Sequence, residues 1–463
     1  MTHPYMANSA PELRQELLDA VGIADVEELF AQIPDDHYMS RPLQLAPALS
    51  AESDLSRHLR RMLSRNVSCE DALSFLGGGV WQHHVPAVCD EIAQRTEFVT
   101  SEWGTPASDH GRNQAWFEFA SQLGELLDLD FVGLPVYSWG CAAGHAIRMA
   151  ARITGRAEVL VPATLDRERL AVIRTYCEPA EMHHGHIAIT PVAIDGETGR
   201  LDLADLEAKL SESTAAIYFE TPGSLGVIET EAERIAALAR AAGAETILGV
   251  DPLSLGVLTP PGELGADIAV GSTQPLGVHM HCGGGVGGFI ASRDEERYAR
   301  EYPTLQVSIA PTLVPGERGF TMALFAQNSY AQREDGKDWT GNSVYLWTIV
   351  NAVYMALMGP QGFVDLGEAI LQRSHYAAAR IAALPGVHVR WRGFFKELVV
   401  DFNDTGRTVA QVNAALRERG IFGGGDLSAS HPELGEAALY CVTEVHTQDD
   451  IDRLAEALAE VTR

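Results

Sequence analysis

Two periods of apolar residues alternate along this chain. Short apolar runs at Glu158 to Val161, Ile187 to Val192, Ala215 to Glu220, Ile247 to Asp251 and Ala266 to Val270 read as buried strands. Between them, Asp166 to Tyr176, Asp202 to Leu210 and Glu231 to Ala242 are apolar at helical spacing, with Asp202 as the cap of its helix. Strands separated by helices of about 10 to 15 residues predict βαβ units and a mostly parallel sheet. In such sheets ligands sit at the carboxyl ends of the strands, where Thr221, Asp251 and Ser272 fall.

The flanks extend this picture. Phe98 to Asp109 reads as a polar loop and Asn113 to Leu127 as an amphipathic helix. The small-residue stretch GLPVYSWGCAAGH, Gly133 to His145, leads into a helix from Ala142 to Thr154. Free N–H groups and the helix dipole make such an approach a candidate phosphate seat, with Ser138, Gly140 and Cys141 at its rim; the alternative is an ordinary helix start after glycine that holds no ligand. Ser343 to Met358 is a nearly all-apolar helix and Phe363 to Leu384 a second one. Strands at Val387–Trp391, Glu397–Phe402 and Ala437–Thr443 follow, with helices at Val409–Arg419 and Asp449–Val461. The expected organisation is an N-terminal arm (1–65), a large α/β domain (66–340), and a linker helix with a small C-terminal α/β domain (341–463). The arm has helical stretches at residues 11–32 and 53–63 but no core of its own, so it is expected to wrap a neighbour in a dimer or heterotetramer.

Composition narrows the classes. A chain of 463 residues with 46% hydrophobic and 21% charged residues suits a globular protein with a large core. A net charge of −29 excludes nucleic acid and anionic membrane as expected partners. Six scattered cysteines lack metal-ligand spacing and read as reduced thiols of a cytoplasmic protein. The N-terminus lacks the basic start and apolar run of a signal peptide, and no apolar run reaches the ~18 residues of a membrane span. Adjacent His83 and His84 cannot both point one way on a regular element, which argues against a two-histidine metal site.

The candidate chemistry lies between Ile247 and Phe289. An acid, Asp251, ends one buried strand, and Ser272, Thr273 and Gln274 follow the next. An acid so placed suits pyridoxal phosphate: it would face the pyridinium nitrogen and keep the ring an electron sink. A Schiff-base lysine normally completes such a site. The chain has three lysines, Lys209, Lys337 and Lys396, and none closely follows the second strand. The alternative reading is an ordinary strand end with a solvated aspartate.

Several long segments carry a family resemblance: RPLQLAPALS (Arg41 to Ser50), FLGGGVWQHHVPAV (Phe75 to Val88), DPLSLGVLTPPGELGADIAVG (Asp251 to Gly271), the Arg318 to Phe320 and Lys337…Thr340…Asn342 segments, and CVTEVHTQDDIDRLAEAL (Cys441 to Leu458). The chain resembles the P-proteins of the glycine cleavage system, and among them the first subunit of the two-subunit glycine decarboxylases. The resemblance implies a pyridoxal-phosphate-dependent transferase architecture of fold type I. It also implies that a homologous partner bears the lysine and binds the cofactor, and that this chain helps shape the shared active site. Glycine would be the amino-acid substrate and a lipoyl carrier protein a further partner. His83, Asp109 and Asn342 are the implied catalytic contributions; Ser138, Gly140, Cys141, Thr221, Asp251, Ser272 and Gln274 the cofactor-facing ones; no metal is expected. Gln274 stands near the place of the missing lysine.

Three stretches depart from the family pattern: SEWGTPASDHG (Ser101 to Gly111), PVYSWGCAAG (Pro135 to Gly144) and PATLDRER (Pro162 to Arg169). The Trp103–Asp109 loop is therefore expected to set a substrate preference of its own. Two other readings stay open: a divergent homodimeric enzyme acting on another amino acid or amine in a specialised pathway, and a non-catalytic stabilising partner.

Overall fold

The computed structural model describes residues 3, 5–39, 41–98, 106–181, 185–323, 337, 338, 340 and 344–463; the side chains at 7, 106–111 and 321–323 are left out of the description. The chain forms two compact units, Met1–Val67 and Ser68–Arg463.

In the first unit the helical pattern of residues 11–32 is broken at Gly22. Helix α1 (Pro11–Val21) opens on proline, whose missing N–H costs nothing at a helix start, and closes on Gly22 at φ 79°. A 3₁₀ turn, Val26–Phe30, follows, held by a capping box between Asp25 and Glu28. Helix α2 spans Glu52–Leu63 and has no buried residue. Leu18 is the buried apolar side chain of this unit among the described residues, while Leu13, Leu17, Leu55, Leu59 and Met62 are exposed.

The second unit contains a seven-stranded sheet and a four-stranded one. The strands of the large sheet are β1 (Phe131–Val132), β2 (Glu158–Pro162), β3 (Ala188–Val192), β4 (Thr214–Glu220), β5 (Glu245–Val250), β6 (Ile268–Ser272) and β7 (Gly288–Ser292), in the order β1-β7-β6-β5-β4-β2-β3. The neighbours from β3 to β6 pair parallel, and β7 is antiparallel to both β6 and β1. Side chains alternate between two apolar layers. Ile247, Ile268, Val270 and Ile290 join one core with Ala146 and Ile147 of the helix Trp139–Thr154. Leu248, Val250, Ala269 and Phe289 join the other with Phe119, Leu123 and Tyr354. This period of two, with both faces covered, is what a buried parallel sheet requires.

Among the described residues, the helices of this unit are α3 (Ala87–Ala93), α4 (Pro106–Leu127), α5 (Trp139–Thr154), α6 (Arg167–Cys177), α7 (Leu203–Lys209), α8 (Ala232–Ala242), α9 (Glu296–Ala299), α10 (Tyr345–Ala382), α11 (Val409–Arg417) and α12 (Gln448–Val461). Ser138, Asp166 and Asp202 cap α5, α6 and α7 with their side chains. Helix α4 starts at Pro106, so the stretch read as polar loop up to Asp109 is helical from that proline. The two apolar helices read between 343 and 384 both form, together spanning Tyr345–Ala382, and they meet at a kink where Gly359, φ 58° and ψ 176°, leaves the helical conformation, with Pro360 next to it. An antiparallel hairpin, Gln306–Pro311 with Arg318–Ala323, and helix α3 were not visible in the pattern.

The small sheet runs β8 (His388–Val389), β9 (Glu397–Asp401), β11 (Ala437–Cys441), β10 (Gly425–Asp426) in space, all antiparallel. It packs with α11, α12 and the end of α10 around Leu398, Val400, Tyr440 and Phe402. Phe75 sits in that core: Leu73–Ser74 pairs in parallel with Ile421–Phe422, so the segment leading to His83 starts on the small sheet's side.

Candidate active-site region at the strand ends

Strands β4, β5 and β6 are adjacent, so Thr221, Asp251 and Ser272 end side by side as the pattern predicts. Asp251 is 3% exposed. Its Oδ1 accepts the Leu253 N–H, capping the 3₁₀ turn Pro252–Gly256. Its Oδ2 faces the Lys396 ammonium at 2.7 Å, and both side chains are almost fully buried.

Lys396 is the residue that sequence reasoning missed. It precedes β9 in the small sheet, far along the chain from Asp251. The Val442 N–H donates to its carbonyl, and Ser374 Oγ of α10 donates to the preceding carbonyl of Phe395 at 2.6 Å. Its ammonium lies 3.5 Å from the centroid of the Trp81 ring and 3.0 Å from His83 Nε2. His83 Nδ1 in turn meets Glu444 Oε2 at 2.8 Å, and the His84 N–H donates to Glu444 Oε1 at 2.8 Å.

Burial first, and the Lys396 cation second, hold His83 below its ordinary pKa, so its ring is neutral near pH 7. Burial would raise Glu444, but the facing His83 and the His84 N–H outweigh it and keep the carboxyl below its usual range. Beside this network Glu397, also buried, accepts the Gly78 N–H at 2.6 Å.

A second acid shares the cleft. Glu220 closes β4, and Arg169 Nη1 donates to both of its oxygens at 2.6 Å. The guanidinium stacks 3.8 Å from the Trp139 ring centroid. Trp139 and Arg169 come from two of the three stretches that depart from the family pattern.

The other predicted positions are engaged elsewhere. Gln274 is 2% exposed; its amide donates to the carbonyls of Trp81 and Val278 and accepts the Trp81 N–H. Ser272 Oγ accepts the Gln274 N–H, and Thr221 Oγ1 accepts the Glu229 N–H. Ser138 Oγ accepts the Cys141 N–H at the start of α5. A Cβ on Gly140 would come within 3.0 Å of Val172, so glycine there serves close approach of α6 to α5. Of the Lys337…Thr340…Asn342 segment, Asp338 receives Arg148 at 2.7 Å and Arg152 at 2.8 Å, and Thr340 Oγ1 meets His145 Nε2 at 2.8 Å, so α5 anchors it. Asn342 and Trp103, like the side chain of Asp109, lie outside the described residues.

A family model described as glycine cleavage system P-protein matches residues 4–458. Among curated relatives, a protein of Staphylothermus marinus named "Probable glycine dehydrogenase (decarboxylating) subunit 1" is 35% identical over 467 residues, covering 99% of this chain and 98% of its own. A protein of the same name from Aeropyrum pernix is 36% identical over 473 residues, covering 100% and 99%. A crystal structure of glycine decarboxylase (P-protein) of the glycine cleavage system, in inhibitor-bound form, superposes with a TM-score of 0.87 at 32% identity, covering all of both chains. A sphingosine-1-phosphate lyase of Burkholderia pseudomallei shares the fold at 17% identity and a TM-score of 0.64.

Against that background the residues at these strand ends do not fit a pyridoxal phosphate held by this chain. The acid that would face a ring nitrogen already faces an ammonium. The position near the expected lysine carries an amide that is fully hydrogen-bonded to backbone.

Proposed function

Because this chain belongs to the glycine cleavage system P-protein family, we propose that it is the first subunit of a two-subunit, pyridoxal-phosphate-dependent glycine decarboxylase, completing an active site whose Schiff-base lysine belongs to a homologous partner. The observation that carries this reading is Gln274: it stands at the end of the strand that should precede the lysine, and its amide is spent on Trp81 and Val278. In such an enzyme the cofactor supplies the electron sink for decarboxylation of glycine. This chain contributes walls and polar contacts to that shared site, and the aminomethyl product passes to a lipoyl carrier protein.

Asp109 and Asn342 are the side chains we propose it offers directly. His83, with both ring nitrogens engaged, is a positioning residue. The exposed apolar faces of α1 and α2 support assembly with the partner, as a heterotetramer. Six free thiols, four of them buried, suit a reducing cytoplasm.

Co-expression with a lysine-bearing homologue, followed by sizing and a glycine–bicarbonate exchange assay, tests the proposal. The expected result is exchange by the complex and none by this chain alone. Exchange by this chain alone, or failure of the two to associate, would overturn it.

A further inference from the structure

We propose that the strand-end cradle of this chain is filled from within. The Lys396 ammonium stands where a pyridinium nitrogen would face Asp251, and the pair acts as a clamp between the two sheets that needs no ligand. The inference goes beyond the subunit's place in a decarboxylase, because it concerns this chain's own site.

The cation has three close neighbours, each of which suits a positive charge. An ammonium has three N–H groups and no acceptor. Here it has the Asp251 carboxylate at 2.7 Å, His83 Nε2 at 3.0 Å and the Trp81 ring face at 3.5 Å. Each of these is itself fixed. Asp251 caps the turn after β5, His83 is held by Glu444, and the Trp81 backbone is bonded at both N–H and carbonyl to Gln274. The lysine backbone is anchored through Val442 and Phe395. A pyridine ring could reach Asp251 only by displacing the ammonium, stranding a buried cation without its counter-ion.

The neighbouring acid offers no alternative foothold. Glu220 is answered by Arg169, which is sandwiched against Trp139. Both acids at these strand ends are therefore neutralised by side chains of the same chain.

Lys396 is also at the wrong end to be a Schiff-base lysine. In pyridoxal phosphate the aldehyde carbon lies across the ring from the nitrogen. A lysine touching the acid that would face the nitrogen sits at the nitrogen's position, away from the aldehyde.

The clamp joins large and small sheets. Asp251 follows β5, Lys396 precedes β9, Glu444 follows β11, and Trp81 and His83 lie on the segment between Phe75 and α3. In a site that waits for its cofactor, binding draws such segments together. Here a covalent part of the chain already does so.

Three lysines make the test direct. Purified chain is titrated with pyridoxamine 5′-phosphate, which forms no aldimine, by equilibrium dialysis and by thermal melting. Separately it is incubated with pyridoxal 5′-phosphate, reduced with borohydride and mapped by peptide mass spectrometry. The expected results are no saturable uptake up to about 1 mM, an unmoved melting temperature, and no stoichiometric pyridoxyl group on Lys396. In a thermodynamic cycle, the Asp251→Asn, Lys396→Met double variant should lose less stability than the sum of the single variants. One-to-one uptake of pyridoxamine 5′-phosphate by the unaltered chain, a stoichiometric pyridoxyl-Lys396, or strictly additive losses would each overturn the clamp. The first two measurements use the unaltered chain, so they hold even where a variant fails to fold. They also leave the decarboxylase reading untouched, since that rests on a partner's lysine.

Discussion

An ion pair in helix α2 and an ion pair at the end of β5 look alike by distance and differ in everything else. Arg57 and Asp54 meet at 3.2 Å with side chains 67% and 55% exposed. Lys396 and Asp251 meet at 2.7 Å with side chains 3% and 4% exposed. The contrast extends to the units that carry them. The unit Ser68–Arg463 builds layered apolar cores and answers the strand-end acids Glu220 and Asp251 with its own cations. The unit Met1–Val67 leaves Leu13, Leu17, Leu55, Leu59 and Met62 in water. For the amphipathic helix α2 with its uncovered apolar face, we propose that the partner subunit provides the cover.

The largest expected effect tests the second half of that contrast. Replacing Leu55, Leu59 and Met62 together by serine removes one exposed face of α2. Interface anchors are each worth about 2 kcal/mol or more, so affinity for the lysine-bearing partner should fall by more than about 100-fold. The unfolding midpoint of the isolated chain should not move. Light scattering and calorimetric titration of the pair report both, and undiminished affinity would remove α2 from the interface.

Next comes the buried pair. Lys396→Met leaves the Asp251 charge without its cation, and loss of one partner of a buried pair costs about 3–5 kcal/mol. Denaturant unfolding of the isolated chain should show this in the midpoint with the slope unchanged. A loss under about 1 kcal/mol would mean that the pair is solvated and comparable to the one in α2.

The acid limb of the stability curve gives a smaller effect of defined sign. His83 is held below its ordinary value in the folded chain, so below about pH 6.5 the unfolded chain takes up a proton that the folded chain refuses. Its contribution is fully present above that pH and is lost as pH falls, at up to about 1.4 kcal/mol per pH unit. His145 and His446 are shifted the same way, again chiefly by burial. The slope between pH 6.5 and 5 should therefore be shallower, not absent, in His83→Gln. An unchanged slope would show that His83 is protonated in the folded state.

Smallest of all, Asp54→Asn in α2 should leave unfolding of the isolated chain unchanged, because an exposed pair gains little over water.

The sequence was legible where physics is local. Apolar runs of the right length gave the strands from β2 to β6, and Asp202 marked the start of α7. Asp251 could be placed at a strand end because a strand is a local object. Its partner could not be. Lys396 lies in an unremarkable FFKEL segment, and only the packing of the small sheet brings its ammonium to β5. The absence of a lysine after β6 was readable; a lysine arriving from the other sheet was not. Arg169 escaped for the same reason, since its sequence neighbours describe a helix start and say nothing of Glu220. The two apolar helices on either side of residues 359–362 were legible, and they meet at Gly359. Its backbone at φ 58° and ψ 176° is a conformation open essentially to glycine alone, and it sets the kink between them.

That bend works as the pivot of a lever. From Gly359 to Ser374, whose hydroxyl holds the carbonyl just before Lys396, α10 extends on the order of 20 Å at ~1.5 Å per residue. An angular error of about 5° at the pivot becomes a displacement of ~1–2 Å at the far end. Ion pairs tolerate little more than that before they part. A Cβ at 359 would meet nothing within 4 Å, so alanine there is refused by the backbone angle and not by crowding. The meeting of Lys396 and Asp251 is thus aimed from a residue that touches neither.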